Sequence, residues 1–284
     1  MKKKKVNKEK LKKQNIIVSV ALCIVMLILY LYIYSHIGGI ISDIFNIKYL
    51  YTLELIVYII MAALLIIVVL LIRKKEIFKF ELKPFLRGFF IAGFFSFLIA
   101  LNLIDSIKEG IKSANELEPI GRIIIFTMST IIGIGFTEEV LCRGIIQNVL
   151  YDAFGRNTKK GVYLSIIFTS IMFGSAHFLN YFTTGAGFEG VLTQVLSATV
   201  MGLYLGAIYA RSRSLWSVIF IHGLLDFSIM ITEGYWGIGN VTEIISSYEL
   251  KTVIYPVILY TSLFLFLLRK KKINECFDNK KTSK

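Results

Sequence analysis

The sequence predicts an all-α fold, a polytopic transmembrane helix bundle of about eight helices. Three observations carry that expectation. Of the 284 residues, 56% are hydrophobic and only 18% are charged, too little charge for the surface of a soluble chain this long. The charge is gathered between apolar runs at about 16–34, 52–72, 86–104, 123–150, 161–180, 191–210, 214–231 and 252–268. Each run is on the order of the 20 residues that a helix needs to cross about 30 Å of hydrocarbon. Basic residues then alternate in density. Segments 1–15, 73–87, 151–160, 211–213 and 269–284 hold 26 of them, whereas the opposite set holds five: Lys48, Lys108, Lys112, Arg122 and Lys251. By the positive-inside rule this predicts a multi-pass plasma-membrane protein with both termini cytoplasmic.

Each part of the chain has its own reason. Met1–Asn15 carries eight lysines and reads as a basic cytoplasmic segment. The run that follows is longer than a signal core and has no small-x-small cleavage site, so it reads as an uncleaved first span. Residues 16–120 hold the first three spans and their loops. Within them, Phe78 to Phe85 mixes aromatics with lysines and reads as an amphipathic stretch on the inner surface. Residues 121–231 hold spans four to seven, and 232–284 the last span and a basic tail. Pro84, Pro119 and Pro256 fall near span ends, where they interrupt least. The net charge of +13 belongs to loops facing an anionic leaflet, with membrane lipid as the partner and no nucleic acid. Cys23, Cys142 and Cys276 show neither a disulfide framework nor the spacing of a cysteine zinc cluster.

The intramembrane ionisable residues point to function. An ionised side chain at the bilayer centre costs about 2.5–3.5 kcal/mol on the insertion scale. Spans four, five and seven nevertheless hold Glu138, Glu139, Arg143, His177, His222 and Asp226. Glu139 and Arg143 are four apart, share a helix face and pair as scaffold. Glu138 points about 100° away, free to enter a cavity as a general base. Phe173 lies one turn before His177, and His222 one turn before Asp226, which places Asp226 to hold the imidazole in one tautomer. Asn180 and Gln194 read as isolated packing polars and His36 as interfacial. At 1.5 Å per residue, Glu138, His222 and His177 lie about 18, 12 and 24 Å from the inner ends of their spans.

These three groups, in this order, resemble the CPBP (CAAX protease and bacteriocin-processing, or Abi) intramembrane endopeptidases. The family pattern is a double glutamate with arginine four after the second, phenylalanine with histidine four later, and histidine with asparagine or aspartate four later. Here these are Glu138, Glu139 and Arg143; Phe173 and His177; His222 and Asp226. The resemblance covers about residues 120–230. It implies hydrolysis of peptide bonds in membrane-associated or lipidated substrates, and in bacterial members peptide maturation, bacteriocin immunity or regulation of surface proteins. Asp226 stands where many relatives have asparagine, which leaves His222 as the oxyanion donor and Asp226 as its positioner.

The catalytic set expected is Glu138, His177, His222 and Asp226, with Glu139, Arg143 and Phe173 in support. Two readings of the chemistry stay open. In one, Glu138 assisted by His177 activates water without metal; in the other, Glu138, His177 and His222 hold a Zn2+ ion, although the chain has no H-E-x-x-H. Two rival functions are a catalytically silent immunity or scaffold protein of the same fold, and a transporter. Transporters show paired repeats, whereas here the polar groups cluster in the second half.

Overall fold

A computed structural model describes residues 2–47, 49–113 and 116–277, with the side chains of 2–13 left aside. Lys48, the tail beyond 277 and most of the basic 1–15 side chains therefore lie outside the described residues. The fold is an all-α polytopic bundle with no strand among the described residues. This follows from the solvent, because in hydrocarbon each segment must satisfy its own backbone, and an apolar run does so as a helix. The helices are α1 (Lys2–Phe45), α2 (Leu50–Leu71), α3 (Leu82–Ile91) and α4 (Gly93–Lys112). Then come α5 (Ile120–Phe154), α6 (Lys159–Ala176), the short α7 (Leu179–Thr183), α8 (Phe188–Ser212), α9 (Leu215–Trp236), the short α10 (Val241–Ser246) and α11 (Ile254–Leu267). Among the described residues, seven helices are long and apolar enough to cross a membrane, or eight when α3 and α4 count as one bent span.

Local chemistry sets the ends. Thr158 accepts from the Gly161 N–H at 3.0 Å, and Ser214 from that of Ser217 at 3.2 Å, capping α6 and α9. Arg213 adopts φ 61°, which closes α8 and lets α9 return antiparallel within three residues.

Several expectations need correction. Span three is not straight: α3 and α4 meet at 72°. The Phe78–Phe85 stretch lies at the surface, with residues 79–83 exposed, and also makes inward contacts. It enters α3, which packs on α9: the Trp216 indole N–H donates to the Phe78 carbonyl at 3.0 Å and the Ser217 hydroxyl to that of Phe85 at 2.9 Å. Span five covers Lys159–Thr183, as expected, but its helix is interrupted by a turn at His177 and Phe178, so that His177 caps α6. Asn180 and Gln194 are not isolated, since the Asn180 amide donates to Gln194 at 2.9 Å.

α5 carries the double glutamate and is not a uniform helix. Met128–Ile134 and Val140–Ile146 are π-helical and bracket the α-helical Gly135–Glu139. Such wide turns rotate the side chains that follow and are common at functional sites. Here α5 also meets α9 backbone to backbone. A Cβ on Gly135 would stand 2.5 Å from the Ile219 carbonyl oxygen, and one on Gly223 would strike Ile131. The absent side chains let the two helices touch, one turn from Glu138 and beside His222. Gly174 does the same for α6, where a Cβ would meet Thr199 and the Val195 carbonyl of α8.

One basic end of the bundle is tied by the segment after α11. Glu275 receives Arg211 at 2.8 Å, Arg87 at 2.8 Å and Lys272 at 2.8 Å, joining α3, α8 and the 3-10 turn Ile273–Cys276. Partial burial opposes ionisation of Glu275, but hydrogen bonds from Lys272 and Arg211 and their charges prevail and hold its carboxyl at about 2.

Two outcomes follow for stability. Gly223→Ala should lower the thermal midpoint in detergent, with an overpacking cost of about 1–3 kcal/mol. Glu275→Gln should lower the midpoint at neutral pH. The native advantage over that variant should stay flat down to about pH 4.5, then shrink as pH falls towards about 2, because the depressed carboxyl loses its contribution on protonation. Melts across pH check both the size and the window.

Candidate active site

The site lies where α5, α6, α8 and α9 meet, and Glu139 is at its centre. Its Oε1 accepts from the Arg143 guanidinium at 2.8 Å and lies 2.8 Å from His222 Nδ1. Glu139 and Arg143 are both fully buried. Arg143 also donates to the Gly202 carbonyl of α8 at 3.2 Å, and its guanidinium lies 4.9 Å above the Phe173 ring. One carboxylate thus anchors an arginine on its own helix and an imidazole 83 residues away.

This geometry corrects the part expected of Asp226. Nδ1 of His222 is engaged by Glu139, so Glu139 rather than Asp226 sets the tautomer, with Nδ1–H donating to the carboxylate. The other nitrogen, Nε2, is 3.5 Å from Asp226 Oδ2 and 3.9 Å from Glu138 Oε2. His222 is 3% exposed, whereas Glu138 and Asp226 are 25% and 22% exposed. The two carboxyls that face Nε2 are therefore the accessible ones, and the one behind it is sealed. Both distances exceed an ordinary hydrogen bond.

His177 joins the group through Phe173. The Phe173 ring packs edge-on against His177 at 5.3 Å and against His222 at 5.6 Å, so the two imidazole centres are at most about 11 Å apart. As the cap of α6, His177 is half-buried rather than sealed.

Among the described residues, no three histidine, cysteine, aspartate or glutamate side chains converge closely enough to hold a metal ion. A metal-bound histidine uses one ring nitrogen and donates the other to an acceptor such as a carboxylate, so the Glu139 contact leaves Nε2, between Glu138 and Asp226, as the His222 nitrogen open to an ion.

Sequence reasoning missed the residues that extend the site. Gln147 donates to the Gly206 carbonyl at 3.2 Å, repeating one turn later what Arg143 does with Gly202. Asn148 donates to the Arg143 carbonyl at 2.8 Å and meets the Tyr209 hydroxyl at 2.8 Å. The signal was present in the four-residue spacing of Arg143 and Gln147 against glycines 202 and 206. On the opposite side, Tyr30, Tyr34 and Tyr58 from α1 and α2 lie within electrostatic reach of Glu138.

Fold and site together define a multi-pass membrane protein with a carboxylate–imidazole centre sealed on one side and open on the other. Residues 120–228 match the family model described as type II CAAX prenyl endopeptidase Rce1-like. The "Putative membrane peptidase YdiL" of Bacillus subtilis (strain 168) is 27% identical over 152 residues, 50% of this chain and 54% of that protein. The chain thus spans about half the length of this curated relative. No solved structure matches the chain. The matched segment contains all three motifs.

Removing the charge of the central carboxylate should unfold the site before it alters chemistry. Glu139→Gln leaves Arg143 buried without its counter-ion, at a cost of about 3–5 kcal/mol. A thermal melt in detergent reads the loss; a midpoint unchanged from the native chain would show that Glu139 is not the anchor.

Proposed function

We propose that this chain is an intramembrane endopeptidase that hydrolyses peptide bonds of membrane-associated or lipidated protein substrates. The observation that carries the reading is the placement of His222: one nitrogen fixed by a sealed carboxylate, the other facing the two accessible carboxyls of Glu138 and Asp226.

In this proposal Glu138 takes a proton from water as the oxygen attacks the scissile carbonyl carbon. His222 Nε2–H donates to the oxyanion of the tetrahedral intermediate. Because Nδ1–H already donates to Glu139, only the imidazolium form supplies this second N–H. Glu138 then returns its proton to the leaving nitrogen, the C–N bond breaks, and acid and amine are released. His177 assists Glu138 from the Phe173 side, and Asp226 faces Nε2 as a second acceptor. Glu139, Arg143 and Phe173 are positioning residues. The distribution of lysine and arginine supports cytoplasmic termini in the plasma membrane.

Glu138→Gln should abolish cleavage, with a loss on the order of 10²–10⁴-fold expected for a general base. Asp226→Asn, which keeps size and restores the residue common in relatives, should retain turnover within about tenfold, since Glu139 still holds the imidazole. Comparing membrane peptidomes from cells carrying the native and Glu138→Gln chains identifies substrates as uncut precursors in the variant. A phenotype untouched by Glu138→Gln would favour a silent scaffold.

A further inference from the structure

A second polar zone leads away from Glu138 into helices outside the matched segment. On α2, Tyr51, Glu54 and Tyr58 are spaced three and four apart and share one face. Below them on that face, Met61 and Leu65 are buried and apolar. Tyr30 and Tyr34 share a face of α1, their rings stacked at 6.4 Å. On α5 the facing positions are Ser129, Gly133 and Thr137, again four apart, with both hydroxyl residues fully buried.

These three faces meet. The Tyr34 hydroxyl donates to that of Tyr58 at 3.3 Å. The Tyr58 ring fills the notch at Gly133, where a Cβ would stand 2.6 Å from its Cδ2. Ser129 donates to Glu54 at 3.5 Å. Thr137 precedes Glu138 directly and donates to the Gly133 carbonyl at 2.9 Å. From Glu138 the hydroxyls and Glu54 run towards the end of the bundle that carries the α1–α2 turn. There Tyr49 bonds the Arg122 carbonyl at 3.3 Å.

Packing alone is a poor account of this zone. A carboxyl and a series of hydroxyls among membrane helices cost free energy unless they are hydrogen-bonded. Here the polar atoms outnumber their well-formed bonds: Tyr51 and Glu233 face each other, yet the Tyr51 hydroxyl and Glu233 Oε2 are buried outside hydrogen-bond geometry, and Glu54 has the long contact to Ser129. A site with two to four polar partners at each step is what water requires. We propose that Tyr30, Tyr34 and Tyr58, with Thr137, Ser129 and Glu54, form a water-conducting seam that supplies Glu138 from the end of the bundle bearing the α1–α2 turn. The inference rests on the hydrolase reading only for what the water does on arrival, since each peptide bond cut consumes one.

The test reads access apart from activity. The full chain with Glu138→Cys is placed in sealed vesicles and treated with a membrane-impermeant cationic thiol reagent from either side. The parent chain, whose three cysteines are buried, sets the background. Position 138 should be modified from the side of the α1–α2 turn. Adding Tyr34→Phe and Tyr58→Phe should slow modification about tenfold, because the rings stay in place and only the polar atoms go. Modification solely from the other side, or a rate unchanged by the phenylalanines, overturns the seam. If the double variant fails to fold, Tyr58→Phe alone is read in the same way. In the chain with native Glu138, the two phenylalanines should lower kcat and leave KM unchanged; a change in KM alone counts against the seam. Should Glu138→Gln keep cleaving while the modification pattern holds, the hydrolase reading falls and the seam stands.

Discussion

The structure of the site depends on one buried carboxylate. Glu139 has no access to water, and its Oε1 serves both a guanidinium and an imidazole. A lone carboxylate could not remain ionised at such a place; Arg143 supplies the charge that permits it. Arg143 is held in turn by a carbonyl of α8 and the face of Phe173. Four helices are therefore joined at one charged node, and the orientation of His222 follows from it. The node is sealed from the accessible side, and it leaves Nε2 as the His222 nitrogen that points there.

Backbone geometry makes that node possible. α5 reaches α9 at Gly135 and Gly223, where any side chain would hold the helices apart. The π-helical turns on both sides of Gly135–Glu139 shift the phase of the helix, so that Glu139 turns to the protein while Glu138 keeps partial exposure. They also leave carbonyls that Asn148 satisfies at Arg143 and Gly144. Such irregularity within a membrane helix is tolerated only where protein or a polar cavity surrounds it, and residues 139–148 are buried throughout.

Much of this was legible in the residues. Apolar runs forecast most spans to within five residues, because hydrocarbon thickness dictates their length, but α1 runs on to Phe45 and α4 to Lys112, 11 and 8 residues past the forecast ends. The pairs 139/143, 173/177 and 222/226 were visible because four-residue spacing puts side chains on one helix face. Other features left no such trace. The Asn180–Gln194 bond crosses between helices, and spacing along one helix does not reveal it. The 72° bend after α3 was invisible because hydropathy counts apolar residues and not their direction. The Tyr30, Tyr34 and Tyr58 hydroxyls were hidden because tyrosine passes as apolar, and Glu54 because it sits close to a span end. A uniform rise of 1.5 Å per residue also overlooked the π-helical turns of α5 and the turn at His177.

By itself the sequence determined that this is a multi-spanning helical membrane protein with glutamates, histidines and an arginine where lipid would reject them. It could do so because partition into hydrocarbon and helical periodicity are local properties of the chain. Only the tertiary structure decided that Glu139, not Asp226, grips His222, and that the two accessible carboxyls face the remaining nitrogen. That choice rests on contacts between helices distant in sequence, set by where glycines let backbones meet and by which oxygen can pair with a buried guanidinium.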